Sequence, residues 1–140
     1  MASTTYEDLL QLTHRFYYDL DESRYTQLVA AFRDDGVWHR QGKALKGHAQ
    51  IRAAMDERPR TMRTRHVISN AFLSESDADS ATLIAYMTAY RFEDGSERKP
   101  PYPIQGAFRL NLVKIRFQRE RGEWRMAEQW GTPEFDFVKP

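Results

Sequence analysis

Apolar residues change their spacing near the middle of this 140-residue chain, and that change limits the fold more than any other feature. In the first part they recur three or four positions apart, which predicts helices from Ser3 or Thr4 to Asp21, from Tyr25 to Phe32 and from His48 to Glu57. Later residues instead alternate with a period of two, in long segments separated by turns. The sequence therefore predicts one α+β domain over residues 1–140, with N-terminal helices followed by an antiparallel or mixed sheet.

Four long strands are predicted in the second half, after one short strand near Trp38. Their approximate ranges are 64–73, 81–92, 107–119 and 124–130, and the short strand covers 37–40. The second and third long strands are apolar on both faces, whereas a sheet that faces water on one side alternates more cleanly. Since three helices can cover only one face, we expect the other face to pack against a second copy, in a homodimer or homotrimer.

The first long strand carries a histidine and an asparagine among apolar residues. With a period of two, one face holds His66, Ile68, Asn70 and Phe72, while the residues between them face the opposite way. This face is either a core that contains a satisfied histidine or the wall of a pocket that uses one. A partner for the imidazole ring would favour the pocket.

Asp21, near the end of the first helix, is the candidate partner. A carboxylate that accepts a hydrogen bond from one imidazole nitrogen fixes the tautomer and stabilises the imidazolium, so the other nitrogen can take a proton from a substrate carbon. Tyr17 lies four residues earlier and points from the same face of the helix. An aspartate and a histidine this far apart are a weak signal by themselves.

Short motifs along nearly the whole chain resemble the SnoaL-like branch of the nuclear transport factor 2-like superfamily, which includes scytalone dehydratase, bile-acid dehydratase and hexachlorocyclohexane dehydrochlorinase. The matching segments are residues 17–21, 32–35, 47–48, 64–70, 122–126 and 134–137, with Leu28 and Ile51 between them. The resemblance implies a cone-shaped fold, in which helices pack on a curved sheet around one deep pocket. It also implies that Asp21 and His66 form a catalytic dyad that needs no cofactor.

The pocket residues follow the family only in part. Leu20 and Arg40 stand where scytalone dehydratase has two tyrosines that polarise its substrate, and Ala89 or Arg91 stands in place of a second pocket histidine. Scytalone itself is therefore not the expected substrate. Trp38 falls where the dehydrochlorinase has a pocket tryptophan.

Five residues are predicted to contact the substrate. Arg109 and Asn111 share one face of the third long strand, where a polar pair among apolar neighbours is typical of a binding site. The full set is Tyr17, Trp38, Asn70, Arg109 and Asn111.

Composition and charge argue against several other classes. A net charge of +1 gives no field for nucleic acid or an anionic membrane, and the absence of cysteine excludes disulfides and thiolate chemistry. No apolar run approaches about 18 residues, and no signal peptide is evident, so we expect a cytoplasmic protein. The arginine-rich segment 58–65 is interpreted as a solvated loop rather than an anion or nucleic-acid site. His39 and His48 lack metal-ligand spacing, so neither metal nor cofactor is predicted.

These observations favour a cofactor-independent lyase or isomerase, similar to a dehydratase, that acts on a small hydrophobic ring compound. His66 would abstract a proton from carbon, and Asp21 would orient it. Two alternatives stay open: a non-catalytic protein that binds a hydrophobic small molecule in the same pocket, and an assembly subunit of the same fold.

Overall fold

The computed structural model describes residues 4–138, which form three helices and six strands. The helices are α1 (Thr5–Asp21), α2 (Tyr25–Ala30) and α3 (Gly47–Asp56). The strands are β1 (Phe32–Arg40), β2 (Lys43–Lys46), β3 (Arg63–Ser76), β4 (Ser80–Phe92), β5 (Arg109–Glu120) and β6 (Glu123–Asp136). None of the helices in the described range is long and apolar enough to cross a membrane.

Helix α1 carries Asp21 at its last turn and is fixed at both ends. The Thr4 hydroxyl caps its start by accepting a hydrogen bond from the Glu7 amide at 3.1 Å, and acidic residues occupy the first turn. Its apolar face, which includes Leu9 and Phe16, is fully buried against the sheet. The helix ends at Asp21, so that carboxylate meets the strand that α1 packs against, β3.

The six strands form one curved, unclosed sheet in the order β2-β1-β6-β5-β4-β3. Neighbouring strands are antiparallel except β1 and β6, which are parallel, so the sheet is mixed. Helix α1 packs against β3 and α3 packs against β1. The core lies between these helices and the inner sheet face, and it is built from large apolar side chains such as Phe32, Ile115 and Phe117. The α+β prediction is confirmed.

Several predicted boundaries differ from the observed ones. Helix α2 ends at Ala30, and β1 begins already at Phe32, because the turn signal Asp34-Asp35-Gly36 forms a bulge inside the strand rather than a break before it. At that bulge a Cβ on Gly36 would lie 3.0 Å from the Arg33 carbonyl oxygen, a tight contact that favours glycine there. Strand β6 continues to Asp136, well beyond the predicted end at Trp130.

A second bulge corrects the predicted faces of β3. Asn70 has a φ of 56°, and the pairing with β4 shifts between Ser69 and Phe72. The extra residue reverses which face each later side chain takes, so Ala71 and Leu73 pack on the core and Phe72 is 52% exposed. The predicted shared face of His66, Ile68, Asn70 and Phe72 is therefore wrong beyond Ile68.

Candidate active site

Asp21 and His66 are joined by two hydrogen bonds. His66 Nδ1 lies 2.6 Å from Asp21 Oδ1, and the His66 backbone amide donates to Asp21 Oδ2 at 2.9 Å. Both side chains are largely buried, with 5% of Asp21 and 11% of His66 exposed. Since an ionised carboxylate only accepts hydrogen bonds, Nδ1 carries the shared proton and Nε2 is left as a proton acceptor.

The Asp21 carboxylate is held by a third donor. The Thr64 hydroxyl donates to Asp21 Oδ1 at 2.8 Å, and Arg58 Nη2 donates to Thr64 Oγ1 at 3.2 Å. Arg58 Nη1 also donates to the Leu20 carbonyl at 2.9 Å, which ties the guanidinium to the end of α1. These bonds fix the orientation of the carboxylate, and through it the orientation of the His66 ring.

His66 lies in the wall of a cavity of about 630 Å³ between the helices and the inner sheet face. Asp21 does not line this cavity, so it stands behind the ring and leaves Nε2 on the cavity side. Among the described residues, Nδ1 alone of the two ring nitrogens makes a hydrogen bond within the protein. A second cavity of about 600 Å³, which Asp21 does line, adjoins the first and shares Met62, Thr64, Tyr90 and Arg91 with it. The volume of the first cavity, about 630 Å³, suits a small ring compound.

Tyr17 is a buried wall of the cavity with a fixed hydroxyl. Its ring centroid is 5.3 Å from that of His66, and its hydroxyl donates to Gln129 Oε1 at 2.7 Å. Burial raises the pKa of Tyr17 far above its ordinary range, although the nearby Arg40 opposes that shift. Tyr17 therefore stays protonated, and its proton is already committed to Gln129.

Trp38 and Asn111 face the same cavity with different chemistry. Trp38 is 4% exposed and packs edge-on against Phe16 at 5.2 Å, with the Arg40 guanidinium 4.9 Å from its ring centroid. Asn111 Oδ1 is buried and has no hydrogen-bond partner within residues 4–138. A buried acceptor without a partner is costly, so it suits a ligand donor.

A comparison with known families decides the assignment of the chain. The family described as the SnoaL-like domain matches residues 1–129. The chain belongs to the SnoaL-like family. No curated protein sequence gives a significant match.

Solved structures place this SnoaL-like chain in the nuclear transport factor 2-like fold, as predicted. A nuclear transport factor 2-like protein with a cystatin-like fold from Novosphingobium aromaticivorans is 20% identical, with a TM-score of 0.74 over 91% of this chain and 80% of that one. A Catenulispora acidiphila structure in complex with S-DNPA is 16% identical, with a TM-score of 0.75 over 91% and 92%. A candidate scytalone dehydratase from N. aromaticivorans is 14% identical, with a TM-score of 0.73 over 96% and 88%.

The SnoaL-like fold brings most of the predicted site residues together. The cavity wall includes His66 and four predicted contacts: Tyr17, Trp38, Arg109 and Asn111. Arg109 is also bound to Asp136, with Nε 2.8 Å from Oδ1. Asn70 does not line the cavity, because it sits exposed in the β3 bulge, and its predicted contact with substrate is wrong on that geometry.

Four further residues of the site, Arg40, Arg58, Thr64 and Gln129, were missed as site residues in the sequence. Thr64 carried a usable signal, because it lies two residues before His66 on the same strand face. Arg58 was assigned to a solvated loop, which is wrong, since its guanidinium binds Leu20 and Thr64. Gln129 is fully buried, and only the fold reveals that it meets Tyr17.

Within residues 4–138 no group of three or more histidine, cysteine, aspartate or glutamate side chains is placed to hold a metal ion. The bond between His66 Nδ1 and Asp21 suits the site to proton transfer at His66 Nε2, supported by the Asp21 carboxylate.

Proposed function

We propose that this SnoaL-like protein is a cofactor-independent lyase or isomerase, similar to a dehydratase, acting on a small ring compound. The observation that carries the proposal is the 2.6 Å bond from His66 Nδ1 to Asp21, which leaves Nε2 as a base at the cavity wall. The likeness to a candidate scytalone dehydratase supports this class of activity, and the likeness to a structure in complex with S-DNPA supports binding of a small molecule.

His66 Nε2 takes a proton from a carbon of the ring compound, and the electron pair of the broken C–H bond moves into the ring system. Asp21 stabilises the imidazolium that forms. In an elimination, the pair then expels a leaving group such as hydroxide, which recovers the proton from His66 and departs as water. In an isomerisation, His66 returns the proton to a different carbon.

The ring tautomer of His66 is the first test. Two-dimensional ¹H–¹⁵N correlation through the ring carbons distinguishes a histidine protonated on Nδ1 from one protonated on Nε2. We expect His66 to be Nδ1-protonated when neutral in the wild type, and to lose this preference in Asp21→Asn, whose amide can donate as well as accept. Glu22→Gln is the matched control, since Glu22 is adjacent, exposed and bound to Arg65 at 2.9 Å instead.

Either tautomer result decides the role of the dyad. A tautomer indifferent to Asp21→Asn would show that Asp21 does not set the orientation of the ring. An Nε2-protonated His66 in the wild type would remove the base from the cavity. The cavity would then fit a non-catalytic protein that binds a small molecule, one of the two alternatives that the sequence leaves open.

We also propose that the outer sheet face packs against a second copy of the chain. This face exposes large apolar side chains, among them Val67 (51% exposed), Phe72 and Tyr86 (42% exposed). Such a patch on a small protein is typical of an interface. Sedimentation equilibrium of the wild type and of Tyr86→Lys tests this packing. We expect the wild type to be a dimer or trimer that dissociates in the variant. A monomeric wild type would contradict the proposal.

A further inference from the structure

The wall of the cavity is strongly cationic, although the chain as a whole is almost neutral. Within residues 4–138, Glu57 is the only carboxylate that lines it. The cations that line it are Arg40, Lys43, Arg58, Arg91 and Arg109. Two of them have fixed partners, because Arg58 is bound to Leu20 and Thr64, and Arg109 to Asp136. An excess of one sign in a cavity concentrates ligands of the opposite sign.

Among the cavity cations that make no ion pair within residues 4–138, namely Arg40, Lys43 and Arg91, Arg40 is the most buried. Its guanidinium lies over the Trp38 ring, half-buried, and the charged and phenolic groups that act on it are Arg58, Tyr17 and Tyr25. None of these is a carboxylate, and within residues 4–138 Arg40 makes no side-chain hydrogen bond or ion pair. Burial lowers the pKa of Arg40, and the charge of Arg58 lowers it further.

An arginine stays charged even in such a place, so a bound anion can balance its charge. Partial burial of a charge without a partner carries a desolvation cost, and a bound anion would offset that cost. The planar fork of a guanidinium matches a carboxylate or another anionic oxygen with two parallel hydrogen bonds. Trp38 holds the guanidinium over its ring, with Cζ 4.9 Å from the ring centroid, and so fixes its position in the cavity wall.

We propose that Arg40 binds an anionic oxygen of the ligand, so the cavity selects ring compounds that carry a carboxylate or that ionise to an enolate. This inference deepens the proposed function by naming the substrate class. If the oxygen is an enolate, the electron pair released when His66 takes the proton comes to rest on that oxygen, opposite Arg40. If it is a carboxylate, Arg40 orients the ring before proton transfer.

Isothermal titration calorimetry with two isosteric probes, 1-naphthoate and 1-naphthamide, tests the anion preference. We expect the wild type to bind naphthoate at least about tenfold more tightly than naphthamide, as one charge-assisted hydrogen bond would give. In Arg40→Gln the affinity for naphthoate falls about tenfold, while that for naphthamide stays within about twofold and shows that the cavity is intact. A naphthoate preference that survives in Arg40→Gln would overturn the proposal. Equal binding of the two probes by the wild type would overturn it if the ring enolate described below also binds independently of Arg40.

Arg65→Gln is the matched control for the loss of one positive charge. Arg65 lies on β3 next to His66, but it is paired with Glu22 and does not line the cavity of His66. Its substitution should leave the binding of both probes unchanged. An equal loss of naphthoate binding in Arg65→Gln would show that overall charge, not Arg40, sets the preference, and would also overturn the proposal.

A second pair of probes identifies the source of the oxygen. 1,3-Indandione ionises readily to a ring enolate, whereas 1-indanone stays neutral. Binding of indandione that depends on Arg40, without a naphthoate preference, assigns the enolate; the reverse assigns the carboxylate. In both experiments His66→Gln should keep the anion preference, so a failure of the proposed catalysis and a failure of anion binding give different results.

Discussion

Two carboxylate–histidine pairs within residues 4–138 have the same 2.6 Å separation, and their surroundings differ. Asp21 and His66 join the end of α1 to β3 and are 5% and 11% exposed. Glu128 and His39 join β6 to β1 and are 24% and 35% exposed. The distance alone therefore says little about chemistry.

The two carboxylates differ in how their charge is shared. Glu128 is bound to Arg116 at 3.3 Å as well as to His39. Besides His66, Asp21 receives a hydrogen bond only from the neutral hydroxyl of Thr64, and in the part of the chain that the structure describes it has no lysine or arginine at ion-pair distance. Its unshared charge is thus available to stabilise a protonated His66.

The two rings also use different nitrogens. His39 makes its hydrogen bond to Glu128 through Nε2, and its ring stacks on Trp130, with centroids 5.3 Å apart and an angle of 5° between the planes. His66 makes its hydrogen bond to Asp21 through Nδ1, so Nε2 stays available at the cavity wall. The comparison teaches that a candidate base is recognised by its remaining nitrogen and the space in front of it.

The largest effect is expected from substituting the two histidines in turn and comparing the rates of proton abstraction. 5-Nitrobenzisoxazole is a small ring compound that loses a carbon-bound proton to a base while its N–O bond breaks, and the nitrophenolate product is measured by its absorbance. We expect His66→Gln to lower the rate of this elimination by about 10³-fold, since a positioned base contributes 10²–10⁴-fold, and His39→Gln to change it less than about twofold. Equal losses in the two variants would place the base elsewhere.

Removing each carboxylate sharpens the comparison with a smaller effect. Asp21→Asn should lower the same rate by about 10²-fold, because the amide no longer fixes the tautomer or stabilises the imidazolium. Glu128→Gln keeps the inner pair, Asp21 and His66, intact and should leave the rate within about twofold. An unchanged rate in Asp21→Asn would show that His66 acts without an orienting partner.

The sequence was sufficient for the inner pair and insufficient for what surrounds it. Asp21 and His66 were found because a helix end and a strand start are marked by local spacing, and a family resemblance joins them. Thr64 could have been found by the same period of two. Arg58 reaches Leu20, and Gln129 reaches Tyr17, across more than 30 residues, so local patterns carry no record of those two contacts.

Asn70 shows the other limit of sequence reasoning. A period of two assigns each side chain to a face only while the strand stays regular, and one extra residue reverses every later assignment. Nothing in Ser69-Asn70-Ala71 marks the bulge clearly, although asparagine tolerates the left-handed φ that Asn70 adopts. The fold was therefore predicted in outline, while the faces of β3 beyond Ile68 were not.

Thr64→Val tests the neutral hydroxyl that supports the Asp21–His66 pair (the inner pair), where the Glu128–His39 pair (the outer pair) has the charged Arg116 instead. The valine removes the hydroxyl that donates to Asp21 and accepts from Arg58. We expect a loss of about 1–3 kcal/mol in the free energy of unfolding by urea, because buried polar groups lose a partner. Thr82→Val is the matched control, since Thr82 is equally buried on β4, and it should change stability by less than about 0.5 kcal/mol. Equal losses in both variants would reduce the Thr64 effect to packing.

The Glu128–His39 pair (the outer pair) should affect the stability of the fold at acid pH rather than the rate of catalysis. Burial opposes the charge of Glu128, but hydrogen bonds from His39 and Arg116 outweigh it and lower the pKa of Glu128 below its ordinary value of 4.5. A carboxyl whose pKa is lower in the folded chain stabilises the fold above its unfolded pKa. That contribution is lost as the pH falls through the folded value.

Urea unfolding at pH 6 and at pH 3 measures this contribution, which we expect to be below about 1 kcal/mol because the pair is partly exposed. The wild type should lose more stability than Glu128→Gln between the two pH values, whereas Glu134→Gln, an exposed change on the same strand, should follow the wild type. If Glu128→Gln loses as much as the wild type, the pair contributes nothing to folding. The 2.6 Å contact of the outer pair would then have neither a catalytic nor a stabilising role, and the contrast with Asp21–His66 would be complete.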